Sequence, residues 1–163
     1  MKYIRRGTFE TNSSSCHSLT LASKKDYDMW INEDAFLFYG KFIPINEAYV
    51  QIKNWVKEKL DYYTQKKNYW QYEIDLYNLY KGYLSILDNL DAKTFNDIFK
   101  KFIIDDCIEL NPLEGLFQSL RNDGEIFSYQ SYFDYYGNEY EMFELEENIE
   151  GIDVVAFGYY GCS

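Results

Sequence analysis

The sequence predicts an α+β fold in which a largely antiparallel sheet, formed from both chain ends, holds a central helical segment of about four helices. Three observations predict it. Short apolar or alternating runs occur before Pro44 and again after Gly124, and the stretch between them repeats apolar residues at steps of three and four. No internal repeat and no linker interrupts the 163 residues, so a single domain, 1-163, is expected.

Taken in order, Met1 to Phe9 reads as a short strand closed by a turn at Gly7, and the polar run Thr11 to Ser15 as a loop. Leu19, Leu21 and Ala22 resume a period-two pattern, residues 23 to 34 are charged and irregular, and Ala35 to Ile43 is a strand stopped by Pro44. Asn46 then caps a helix whose face carries Tyr49, Ile52, Val56, Leu60 and Tyr63. A second helix runs from about Tyr69 to Leu87 with Trp70, Ile74, Tyr77, Leu84 and Leu87 as its stripe, and its many rings suggest burial on two sides. Thr94 caps a third helix bearing Phe95, Ile98, Phe99, Phe102 and Ile103, and Asn111-Pro112 opens a short fourth. Glu125 to Tyr135 and Glu139 to Leu145, joined at Gly137-Asn138, read as a β-hairpin, and Ile152 to Tyr159 as a last strand.

Aromatic residues make up 20% of the chain, with 18 Tyr, which argues for a folded core and for some rings left at the surface. The net charge of −11 is unevenly spread. Residues 1 to 81 hold 12 Lys+Arg against 10 Asp+Glu, whereas residues 82 to 163 hold 4 against 17. The C-terminal half would therefore repel duplex nucleic acid and attract a basic groove on a protein. No apolar run reaches the roughly 20 residues of a membrane span, and the N-terminus lacks the apolar core of a signal peptide. A soluble protein of the cytoplasm is expected. Cys16, Cys107 and Cys162 are few and scattered, and with one histidine they make no metal site; no cofactor motif is present.

The only histidine, His17, lies in Gly7-Thr8-Phe9-Glu10-Thr11-Asn12-Ser13-Ser14-Ser15-Cys16-His17-Ser18. An imidazole beside hydroxyls is the raw material of a nucleophile and base, so His17 and Ser15 are the catalytic candidates. No strand-turn-helix nucleophile elbow surrounds them, and triads assemble from distant segments, so hydroxyls satisfying loop backbone is the simpler account. Loop amides with Arg5, Arg6, Ser13 and Ser15 also suit an anion, which makes an enzyme or binder of a small phosphate-bearing ligand the alternative function. The bare order Arg6, Ser13-x-Ser15, Glu144-x-Glu146 occurs in some ADP-ribosyltransferases, but Arg6 and Ser13 are too close to hold the elements that belong between them. Asp105, Asp106 and Glu109 read as a solvated face.

The leading functional reading is mimicry of nucleic acid. Tyr132, Tyr135 and Tyr136 supply interface anchors, and Glu139, Glu141, Glu144, Glu146 and Glu147 stand in for phosphates. The expected partner is a host protein with a basic groove, and a homo-oligomer lined by tyrosines is a third arrangement the composition admits.

The stretch Phe9-Glu10-Thr11-Asn12-Ser13-Ser14-Ser15-Cys16-His17-Ser18 resembles an N-terminal signature of uncharacterised proteins of bacteriophages and mobile elements. It covers about a tenth of the chain. The resemblance implies context rather than chemistry: an accessory protein acting inside a bacterial host. Small acidic proteins in that setting are often inhibitors of host defence, anti-CRISPR proteins among them.

Overall fold

The computed structural model describes residues 7–8, 15–66, 70–105, 112–122 and 126–162. The fold is α+β, and among the described residues every strand pairing is antiparallel. In chain order the elements are β1 (Gly7–Thr8), β2 (Ser15–Ser23), α1 (Lys24–Ile31), β3 (Ala35–Phe38) and β4 (Lys41–Pro44). A short 3₁₀ turn (Ile45–Glu47) leads into α2 (Ala48–Lys66), α3 (Gln71–Asp88), α4 (Ala92–Asp105) and α5 (Glu114–Asn122). The chain closes with β5 (Ile126–Phe127), α6 (Tyr129–Gly137), β6 (Glu141–Ile149) and β7 (Ile152–Cys162). It divides into two compact units, one built from Met1–Pro44 with Gly124–Ser163 and the other from Ile45–Asp123.

The two-ended unit holds a four-stranded sheet in the order β1-β2-β7-β6 and a three-stranded one in the order β4-β3-β5. As expected, both chain ends meet in one sheet, because β2 lies along β7 from Ser15 opposite Cys162 to Ser23 opposite Val154. Gly7 sits within β1, opposite Leu19, rather than in a turn. Residues 1 to 6 and 9 to 14, with Arg5, Arg6 and Ser13, lie outside the described residues.

Four expectations in this unit are corrected. Residues 24 to 31 are helical, since Ser23 caps them: its Oγ accepts from the Asp26 amide at 3.1 Å and donates to the Asp26 carboxylate. The single strand expected over 35 to 43 is a hairpin, turned at Tyr39 and Gly40, both at positive φ as a two-residue turn of that hand requires. Tyr129–Gly137 is helix rather than strand, because Ser128 and Ser131 form a reciprocal capping box and the apolar rings fall at steps of three and four. The C-terminal hairpin is therefore β6–β7, turned at Glu150 and Gly151, again both at positive φ. Finally, β2 buries Ser18, Thr20 and Ala22 and leaves Leu19 and Leu21 exposed. The small side chains stand beside Tyr159, Phe157 and Val155 of β7, and their size leaves room for those larger neighbours.

Trp30 is the centre of this core. It is fully buried, donates its indole N–H to the Phe127 carbonyl at 3.2 Å, and meets the rings of Tyr27, Phe42, Tyr129, Tyr132 and Phe157 at centroid distances of 5.2 to 5.7 Å. Ala22, Leu37 and Val155 fill the gaps.

The helical unit follows its sequence closely. Ile52 and Val56 of α2 are fully buried, Tyr49, Leu60 and Tyr63 flank them half-buried, and Trp55 is also buried. Phe95, Phe99 and Phe102 of α4 pack with Phe117 of α5, the closest pair at 4.6 Å. The caps differ from expectation. The Asn96 side chain of α4, not Asn46, accepts from the Tyr49 amide at 2.8 Å, and in turn donates to the Asn46 carbonyl. Asp91, not Thr94, caps α4, accepting from both the Thr94 amide and its hydroxyl. Asn111 lies outside the described residues. The expected two-sided burial of α3 is also corrected: Tyr80, Tyr83 and Leu87 face inward, whereas Trp70, Tyr72, Ile74 and Leu79 are exposed.

Candidate interaction surface

The candidate surface is built on α6 and β6. Along α6 the capping box starts the helix, and Tyr129, Tyr132, Phe133 and Tyr136 fall on the face turned to Trp30, Phe127 and Tyr159. Tyr132 is only 2% exposed and belongs to the core, so its expected role as a partner contact is overturned. Tyr136 is half-buried and stacks on Tyr159 at 4.3 Å. Tyr135, at 64% exposure, alone of the three is presented to solvent. Helical geometry is the reason: a strand would have put Tyr132 and Tyr136 on one face and Tyr135 on the other, whereas a helix turns Tyr132 and Tyr136 together into the core.

All five expected carboxylates are exposed. Glu139 precedes β6, and Glu141, Glu144, Glu146 and Glu147 lie along it. β6 is the last strand of its sheet, and among the described residues no strand pairs with its other edge. The carboxylates are not equivalent. Glu144 accepts hydroxyls from Tyr27 and Tyr129, the latter at 3.0 Å. Burial pushes both phenols above their ordinary range, and the bonds to the Glu144 carboxylate add to it. Lys24 bridges Glu146 and Asp28, and its ammonium is pushed up to about 12 by those two partners, Glu146 first. Glu141 accepts the Tyr160 hydroxyl, whose ionisation it resists for that reason.

Sequence reasoning missed Lys24, Tyr27 and Tyr129 as the groups that hold these carboxylates. Ser23 three residues before Asp26, with Tyr27 and Trp30 at helical spacing beyond it, was the available signal for α1.

Ser15 and His17 are in β2, opposite Cys162 and Tyr160, so this part of the hydroxyl-rich stretch is strand and not loop. Asn12, Ser13 and Ser14, the rest of the expected loop, lie outside the described residues. Arg5, Arg6 and Ser13, the other anion-binding candidates, lie outside the described residues. No group of three or more metal-ligating side chains occurs among the described residues, and no helix there is long and apolar enough to cross a membrane.

No family model, curated protein or solved structure matches this chain.

Proposed function

We propose that this chain is a non-enzymatic binding protein that occludes the basic, nucleic-acid-binding surface of a host defence or nucleic-acid enzyme, in the manner of an anti-CRISPR protein, within a bacterial cytoplasm. One observation carries the reading. Between Gly124 and Ser163 there are nine Asp and Glu and no Lys or Arg, and four of the nine line an exposed strand at the edge of a sheet. Strand register puts Glu141 and Glu147 on one face of β6 and Glu144 and Glu146 on the other, so both faces of that edge are anionic. The phage-like N-terminal signature supports the setting.

Not every carboxylate contributes alike. Glu144 is held by two phenols and Glu146 by Lys24, so Glu139, Glu141 and Glu147 carry most of the expected contact. The chain should displace a labelled oligonucleotide from a basic nucleic-acid enzyme, and do so less well as salt rises through the physiological range. Changing Glu139, Glu141 and Glu147 together to Lys should abolish displacement without loss of folding. Unchanged displacement by that triple variant, or displacement indifferent to salt, would remove the basis for the reading.

A further inference from the structure

The sheet that carries the acidic strand also presents apolar side chains on its outer face. Strand register places Leu19 and Leu21 of β2, Ile152, Val154, Ala156 and Tyr160 of β7, and Phe143, Leu145 and Ile149 of β6 on the face opposite Trp30. Leu145 is 60% and Ile149 55% exposed, and Leu19, Leu21, Ile152 and Tyr160 are exposed as well. Three strands of this length make a patch of roughly 400 Å², the size of the largest apolar patch on an ordinary monomer. The face extends to β6, where Glu141 and Glu147 alternate with its apolar residues, and among the described residues no strand pairs with the far edge of β6.

Two occupants compete for that edge. A second copy would bring roughly half the area per partner that a stable complex buries, and would set Glu141, Glu144, Glu146 and Glu147 against their own equivalents across the new strand pair. Carboxylates along an exposed edge are the usual device that keeps identical strands apart. The same carboxylates favour a strand that carries cations. On the outer face β6 presents, in order, Glu141, Phe143, Leu145, Glu147 and Ile149, with the two carboxylates roughly 20 Å apart.

We infer that β6 accepts an extended basic segment of a partner protein as a fifth strand, whose outward side chains are apolar opposite Phe143, Leu145 and Ile149 and cationic opposite Glu141 and Glu147. This rests on the reading above and specifies it: the partner's basic surface includes a strand or an extended tail. Main-chain hydrogen bonds along the edge supply affinity, and the charge pattern sets the register and excludes a second copy.

The test uses the full chain and two synthetic peptides of one composition. In the first, Thr alternates with Lys or Val so that the lysines stand opposite Glu141 and Glu147; in the second, the order is scrambled and the alternation lost. Binding is read by fluorescence anisotropy at low salt, and its place by amide hydrogen exchange. The alternating peptide should bind more tightly than the scrambled one and slow exchange at alternate amides of β6. Glu147→Lys should weaken it about 3- to 10-fold, as loss and reversal of one exposed charge pair does. Leu145→Asn should weaken it about tenfold through lost apolar contact. Equal binding of the two peptides, or no slowing within β6, overturns the inference. So does slowing within β6 that rises with protein concentration without peptide, together with a doubled sedimenting mass, because a second copy then fills the edge. Oligonucleotide displacement is scored separately: intact displacement with failed peptide binding retires strand addition alone, and peptide binding without displacement retires the occlusion reading alone.

Discussion

The helical unit and the two-ended unit reach their cores by different routes. In the first, each helix announces its buried face over a few residues, as Ile52 and Val56 do in α2 and Phe95, Phe99 and Phe102 in α4. In the second, Trp30 is buried by rings from residues 27 to 157, and the carboxylate of Glu144 is satisfied by phenols from α1 and α6. The contrast teaches that local pattern suffices where the core is made of near neighbours and misleads where it is made of distant ones. β2 is the clearest instance, since its leucines point outward and its small polar residues inward.

Measurements can sharpen or break that contrast. Trp30→Ala removes the side chain on which the two-ended core converges and should cost about 4 kcal/mol in chemical denaturation. If Phe99→Ala in the helical unit costs clearly more, the weight given to Trp30 is misplaced. Gly158→Ala should cost about 3 kcal/mol, because an added Cβ would lie 1.9 Å from the Ser18 carbonyl oxygen and force β2 and β7 apart. A Gly115→Ala control meets no backbone, only the Tyr83 side chain with its hydroxyl at 3.0 Å, and should cost less.

Alkaline pH should act chiefly on the two-ended unit. The phenols of Tyr27 and Tyr129 titrate above their ordinary value in the folded chain, so the unfolded chain loses those protons first, near pH 10. Stability is fully present below that pH and falls as pH rises beyond it. Tyr27→Phe should flatten the decline; an equally steep decline in that variant would show that other groups drive it. Asp91→Ala, which uncaps α4, should cost about 1 kcal/mol, visible as faster exchange at the first amides of that helix. The smallest effect is expected at Glu147→Lys, within about 0.5 kcal/mol on stability, since among the described residues no partner holds that carboxylate in the way Lys24 holds Glu146.

Much of the fold was legible. The four central helices, the joining of both chain ends in one sheet, and the exposure of Glu139, Glu141, Glu144, Glu146 and Glu147 follow from periodicity and charge. Residues 129 to 137 were not, because a run of tyrosines suits strand and helix equally, and the capping bond between Ser128 and Ser131 decides between them only once it has formed. The caps from Asn96 and Asp91 were hidden for a similar reason: the nearest polar residue is not always the one the fold brings to the helix end.

By itself, the amino-acid order determined the helical centre, the acidic C-terminal stretch and the wealth of rings, since each is a property of neighbouring residues or of composition. Tertiary structure alone decided which tyrosines are core and which are surface, which carboxylates are held and which are free to meet a partner, and that β6 rather than an aromatic hairpin forms the open edge. The core around Trp30 and the holding of Glu144 and Glu146 depend on contacts between residues more than a hundred positions apart, whose energy no short window of sequence contains.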